Sequence, residues 1–290
     1  MTDDGRLMTI ARLAVASVFL ICFAAAGRAQ ETIEPDRPDV TNGTHIVDTG
    51  LLQIEIGGLY THAAARQHAV GSPFTARVGV TEWLEARIGT DGLLTASDGT
   101  ARASGVGNTQ VGAKLRLFAD PGGAPVLSIL PTVNLPTANA EKGLGSGSFD
   151  YTLAVLTGAD IGRHGHVDAN YGIGSIGAGD GEPHFVQHLV SVSASAAVSD
   201  NLNPYVEAFW FSRQDVDGTS ITALDAGAIY ELGARYAVDG GVQIGLTRQA
   251  PALSAFAGVS MIVGDIAGNH GVHARQRQAA RRAARSSTSR

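Results

Sequence analysis

The sequence predicts an all-β fold, a transmembrane antiparallel up-and-down β-barrel of about 12 strands. Three observations carry this expectation. Beyond residue 29 no apolar run approaches the roughly 20 residues that a membrane helix needs. Apolar and polar residues instead alternate with period two in segment after segment. The connections between those segments alternate between short turns and long Gly-, Ser- and Asp-rich loops.

The chain opens with Arg6 and Arg12, an apolar run Leu13 to Ala26 and the small residues Gly27 and Ala29. Such a pattern reads as a secretory signal peptide over 1–29, with cleavage before Gln30. Residues 30–50 are then expected as an N-terminal periplasmic segment, 51–264 as the barrel and 265–290 as an Arg-rich disordered tail. The only cysteine, Cys22, lies inside the signal, so disulfides, thiolate metal sites and cysteine nucleophiles are excluded from the exported part.

The strands follow in order. Leu52, Ile54, Ile56 and Tyr60 share one side and Gln53 and Glu55 the other. Phe74, Ala76 and Val78 alternate with Thr75 and Arg77, and Thr109, Val111, Ala113, Leu115 and Leu117 alternate with Gln110, Gly112, Lys114 and Arg116. Val167, Ala169, Tyr171 and Ile173 oppose His166, Asp168, Asn170 and Gly172, while Val206, Ala208 and Trp210 oppose Tyr205, Glu207 and Phe209. Extending this reading places strands near 51–62, 72–80, 83–94, 106–118, 125–136, 149–160, 165–176, 185–198, 203–213, 221–231, 239–248 and 254–263. Short turns are expected at Thr81-Glu82, Gly162-Arg163-His164, Asp200-Asn201 and Ala237-Val238-Asp239, and long loops around 95–105, 137–148, 177–184 and 214–220. In hydrocarbon every backbone N–H and C=O must be paired, so such a sheet has to close on itself. A soluble sandwich or lipocalin-like barrel, with the apolar side inward, is the competing architecture.

Residues 30–270 hold 12 Lys and Arg against 25 Asp and Glu, whereas 271–290 hold six Arg and no acid. So acidic a body argues against nucleic acid as a partner. If the acidic residues lie at a pore they would favour cations over anions. The polar faces of the strands supply a candidate lumen lining of Glu55, Arg77, Arg87, Lys114, Arg116, His166, Asp168, Asn170, Glu207, Asp225 and Gln243.

Other patterns carry less. His166, Asp168 and Asn170 suggest a lipid hydrolase, but no serine motif accompanies them and a polar lumen face accounts for them. The GxGxxG spelling at Gly172–Gly177 is followed by a loop rather than a helix, so it lacks the context of a nucleotide site. His164, His166, His184 and His188 are the only local density of histidine, and their i, i+2 and i, i+4 pairs are of a kind that chance readily supplies. No catalytic residue, metal or cofactor is therefore expected.

Thr32-Ile33-Glu34-Pro35-Asp36-Arg37-Pro38-Asp39-Val40-Thr41, followed by Gly50-Leu51-Leu52-Gln53-Ile54-Glu55, resembles the start of the Putative MetA-pathway of phenol degradation family. The motif Asp36, Arg37, Pro38 and Asp39 carries the resemblance, and the segments Val80–Gly89, Gly105–Lys114 and Leu130–Thr137 extend it over roughly 32–263. The resemblance implies a bacterial outer-membrane barrel, assembled by the barrel-assembly machinery and surrounded by outer-membrane lipid. It also implies a channel or transporter for small organic solutes, aromatic or hydrophobic ones among them. A structural or adhesive barrel and a lipid-modifying enzyme are the alternative functions. One departure is the end of the last strand, Ser260-Met261-Ile262-Val263-Gly264, which lacks a terminal aromatic residue and continues into the tail.

Overall fold

The structure, a computed structural model, describes residues 33–38, 40–63, 67–118, 125–179 and 182–266. The expected signal peptide 1–29, Asp39 of the motif and the tail from residue 267 lie outside the described residues.

Period-two alternation becomes strand throughout: β1 (Leu51–His62), β2 (His68–Gly71), β3 (Phe74–Gly79), β4 (Leu84–Thr90), β5 (Leu93–Ser97), β6 (Arg102–Val106), β7 (Thr109–Phe118), β8 (Val126–Leu135), β9 (Asp150–Ile161), β10 (Gly165–Ile176), β11 (Phe185–Ala196), β12 (Leu202–Phe211), β13 (Ile221–Glu231), β14 (Tyr236–Gly245) and β15 (Leu253–Asp265). All pair antiparallel in one sheet, and β15 returns to β1 from Leu51↔Asp265 to His62↔Leu253, which closes it. Closure leaves the barrel wall without a sheet edge to expose to lipid.

Fifteen strands make 12 staves, because β2–β3, β5–β4 and β6–β7 are each one stave broken at Ser72-Pro73, Asp91-Gly92 and Gly107-Asn108. Pro73 has no N–H for the ladder. Gly92 has φ +70°, and a Cβ there would lie 1.8 Å from the Ser72 carbonyl oxygen, so the chain can turn aside only with glycine. Above the breaks, β1, β2, β5 and β6 continue as a small sheet at the long-loop end. Residues expected as loop 95–105 thus form most of the β5–β6 hairpin.

A second correction concerns Ala237-Val238-Asp239, expected as a turn. These residues belong to β14, where Asp239 pairs with Ile229, and the turn is formed by residues 232–235. The Asp239-Gly240-Gly241 spelling imitates a turn, but Asp239 points into the barrel and is held there by a distant partner.

Side chains are arranged inside out relative to a soluble protein. Along β12, Tyr205, Glu207 and Phe209 are buried while Val206 and Trp210 are exposed. Likewise Lys114 is fully buried on β7 and Val111 and Leu117 are exposed. Exposed Trp83, Phe118 and Tyr230 lie at the short-turn end and Tyr151, Tyr171 and Trp210 towards the other, as the two aromatic belts of a membrane barrel require. This orientation excludes the soluble sandwich.

An outward Leu115 predicts that Leu115→Arg costs about 2–4 kcal/mol near the bilayer midplane. Unfolding titrations in lipid vesicles should show that loss, and a Leu115→Met control should show almost none.

Candidate functional site

A barrel of about eight strands is just filled by its own side chains, so 12 staves leave a lumen that needs further filling. Residues 33–38 and 40–50 supply it. The sequence reading set this segment outside the barrel as a periplasmic extension, whereas the structure places it inside, entering and leaving at the short-turn end. The physical reason is a set of charged inward residues, Lys114, Arg87 and Glu207 among them, whose hydrogen-bond partners this segment supplies.

Entry begins with Ile33, whose N–H donates to Ala234 O (3.1 Å). Ile33 packs with Val47, Leu51, Ala237 and Ile262 into a buried apolar cluster that closes the short-turn end. Above it sits Asp36, the acceptor for three cations from three strands. Lys114 Nζ lies 2.9 and 2.7 Å from its two oxygens, Arg87 Nη2 2.9 Å and Arg77 Nη2 3.6 Å. Burial alone would push the Asp36 carboxyl up, but Arg77, Lys114 and Arg87 together hold it well below the usual carboxylate range. Arg77, with no exposed surface, also binds Glu85 through Nε and Nη2 (both 2.9 Å) and Glu55 through Nη1 (2.8 Å). Lys114 further donates to Gly43 O (2.7 Å) and His45 O (3.1 Å), so one ammonium ties both limbs of the segment together.

Arg37, after which the peptide to Pro38 is cis, donates through Nε and Nη2 to Asp239 at 3.2 and 3.1 Å. Its guanidinium lies on the facing pair Gly57 and Gly258, where added Cβ atoms would come within 2.3 and 2.6 Å of it. Two glycines opposite one another therefore make the seat for this arginine.

On the opposite wall the segment is held by its backbone. Val40 and Thr41 donate their N–H groups to the Glu207 carboxylate at 2.9 and 2.6 Å, and the Thr41 hydroxyl donates to the same group. Asn42 N–H donates to Asn170 Oδ1 (2.7 Å), and Asn170 Nδ2 returns a bond to Asn42 O (3.0 Å). Val47 N–H donates to Glu85 Oε2 (3.0 Å) on the way to β1.

Of the residues expected to line the lumen, the structure gathers Glu55, Arg77, Arg87 and Lys114 around Asp36, and sets Asn170 and Glu207 against the segment from the far wall. Asp225 is buried beside Glu207 in register, and half-buried Gln243 faces Asp225 in turn. His166 and Asp168 form a separate pair beside Gly43 and Thr44 of the segment: His166 Nδ1 is 2.7 Å from Asp160 Oδ1 and Nε2 is 3.2 Å from Asp168 Oδ2. Arg116 is half-buried, and its Nε finds no hydrogen-bond partner among the described residues. Asp36, Arg37 and Pro38, first noted only for a resemblance, turn out to be the centre of the site. Glu85 and Asp239 were missed. Glu85 was legible in the alternation Leu84-Glu85-Ala86-Arg87, whereas Asp239 was hidden by its false turn.

Above the segment, towards the long loops, the lumen is hollow. A cavity of about 440 Å³ has Asp36, Arg37, Pro38, Asn42 and Arg87 along its floor. Gln110, Leu130, Thr132 and Thr152 line it from β7, β8 and β9, and Leu189 and Phe211 from β11 and β12. Among the described residues no group of three or more His, Cys, Asp and Glu side chains is arranged to hold a metal ion.

Comparison with known proteins bears on the whole barrel. The family model described as Putative MetA-pathway of phenol degradation matches residues 35–262. No curated protein sequence matches the chain. The COG4313 outer membrane channel from Pseudomonas putida F1 is similar in structure at a TM-score of 0.60 and 14% identity, over 77% of this chain and all (100%) of that one. The NanC porin is similar at a TM-score of 0.52 and 11% identity, over 72% of this chain and 98% of that one. At such identities the likeness concerns the fold.

Two outcomes follow from the geometry. Asp36→Asn leaves three buried cations without their shared counter-charge and should cost about 3–5 kcal/mol of stability, read as a lower temperature for the shift between folded and unfolded gel mobility. Lys114→Met removes the ammonium's contacts to Asp36, Gly43 O and His45 O and should cost comparably. The pH dependence has a definite sign. Because the folded Asp36 carboxyl titrates below its unfolded value of about 3.9, its contribution is complete above that pH and is lost as pH falls through the folded value. Stability from this group should therefore be level between pH 7 and about 4 and decline only in stronger acid, in the same gel assay.

Proposed function

The chain belongs to the Putative MetA-pathway of phenol degradation family, and from that premise we propose that it is an outer-membrane channel or transporter for small organic solutes, aromatic or hydrophobic ones among them. One observation carries the reading: a closed barrel with a hollow, partly apolar chamber at the long-loop end and a chain segment, not a wall of strands, closing the other end. Small-molecule sites span roughly 300–1,000 Å³ with mixed apolar and polar lining, and this chamber falls in that class. The names of the similar structures, an outer membrane channel and a porin, point the same way.

Passage on this reading requires the 33–50 segment to leave, or shift within, the lumen. The segment contributes no strand to the barrel wall, so its displacement need not break the closing ladder. Export through the 1–29 signal and insertion by the barrel-assembly machinery belong to the same proposal.

A catalytic reading of His166 is disfavoured by its surroundings. Both ring nitrogens are engaged by carboxylates, Asp160 and Asp168, which leaves none to take a proton from a hydroxyl nucleophile.

The test is conductance and solute uptake by purified, folded protein in planar bilayers and liposomes. Wild type should pass small organic solutes with low, intermittent conductance, and Asp36→Asn, by loosening the segment, should raise conductance several-fold. No uptake and no conductance in either protein would exclude a channel and leave a structural barrel.

A further inference from the structure

The formal charge of the barrel body suggests a lumen that repels anions, but the arrangement of charges inside it suggests the reverse. Around the segment, Arg37, Arg77, Arg87 and Lys114 face Asp36, Glu55, Glu85 and Asp239. The cluster is neutral in sum, so what a solute meets depends on which groups reach the surface. Asp36, Glu55, Glu85 and Asp239 side chains are 7%, 2%, 0% and 2% exposed, whereas those of Arg37 and Arg87 are 14% and 12% exposed.

The carboxylates are also spent. Both oxygens of Asp36 accept from Lys114 and one from Arg87, and Glu55 accepts from Arg77, Gln53 and the N–H groups of Asp36 and Arg37. The guanidiniums retain capacity. Arg37 uses only Nε and Nη2 on Asp239, and no partner of its Nη1 is found among the described residues. Arg87 gives Nη1 to a neutral amide oxygen of Asn42 at 3.3 Å, a bond that a carboxylate would improve upon. Glu207 and Asp225 do not line the cavity. Leu130, Leu189 and Phe211 give the same cavity apolar surface.

We propose that this cavity binds compact apolar monocarboxylates, with the carboxylate on the Arg37 and Arg87 edges and the hydrocarbon or ring against Leu130, Leu189 and Phe211; the proposal rests on reading the lumen as a solute site. A planar guanidinium edge matches a carboxylate in geometry as well as charge, and Phe211 offers a ring face to an aromatic body. A cationic isostere would meet the same edges as like charges.

The test is equilibrium binding of three probes of one shape, benzoate, benzyl alcohol and benzylamine, to the folded full-length barrel, with liposome swelling measured on the same preparation. Benzoate should bind at least about tenfold more tightly than benzyl alcohol, and benzylamine more weakly than either. Phe211→Ala should weaken benzoate and benzyl alcohol by a common factor and keep their ratio, whereas Arg87→Gln should bring the ratio towards one. Folding of each variant is checked by heat-modifiable gel migration. Equal affinity for benzoate and benzyl alcohol, or a preference for benzylamine, would overturn the proposal. If no probe binds but organic solutes still enter liposomes, the carboxylate site is wrong and the channel stands; if neither occurs, both fall.

Discussion

The Asp36 carboxylate is the point on which the interior of this barrel depends. Arg77, Arg87 and Lys114 come from β3, β4 and β7 and point into one confined space, where three like charges would repel one another and resist burial. An acceptor delivered from outside the sheet resolves that conflict, and it arrives on a segment short enough to enter and leave by the same end. Glu85 and Glu55 divide the remaining charge of Arg77. The segment is thereby held by ionic and backbone hydrogen bonds rather than by a large apolar contact. An apolar anchor is the cluster of Ile33 and Val47 with Leu51, Ala237 and Ile262 at the mouth.

This interior is the consequence of the exterior. A sheet that faces hydrocarbon on one side must place its polar residues on the other, and closure with 12 staves creates a lumen wider than those residues can fill. A filler of side chains alone would need a narrower barrel. A filler of backbone needs donors and acceptors on the wall, which Glu207, Asn170 and Glu85 provide. The half of the lumen beyond the segment is left hollow, and its floor is made by the same arginines that fix the segment. On the reading proposed above, solute recognition and closure share Arg37 and Arg87.

The barrel was legible in the sequence because its signal is local. Lys114 between Ala113 and Leu115, or Glu207 between Val206 and Ala208, declares its side of the sheet from two neighbours, and every expected strand is present. Pro73, Gly92 and Gly107 fall inside the expected strands 72–80, 83–94 and 106–118, and the breaks there were not foreseen because a bent stave and a straight one have the same local spelling. The site was less legible. Residues 33–50 have no period, since their contacts run through backbone atoms and through partners up to 202 positions away, as for Arg37 and Asp239. Nothing in the spelling of Gly57 or Gly258 says that an arginine from a distant segment lies across them. The motif Asp36-Arg37-Pro38 marked the position without revealing that it sits inside the barrel.

The central claim is that this segment occupies the lumen of the folded protein in its membrane. Asn42 and Asn170 exchange two hydrogen bonds across the lumen, and the only native cysteine, Cys22, lies in the expected signal peptide. Paired replacement, Asn42→Cys with Asn170→Cys, tests the claim by oxidative cross-linking in intact outer membranes. The account predicts an intramolecular disulfide in folded barrels, formed in high yield and abolished when Asn42→Cys is combined with a cysteine at outward Tyr171 instead. Free thiols at both positions, with the residue 42 thiol readily labelled by a large impermeant reagent, would place the segment outside the barrel and contradict it.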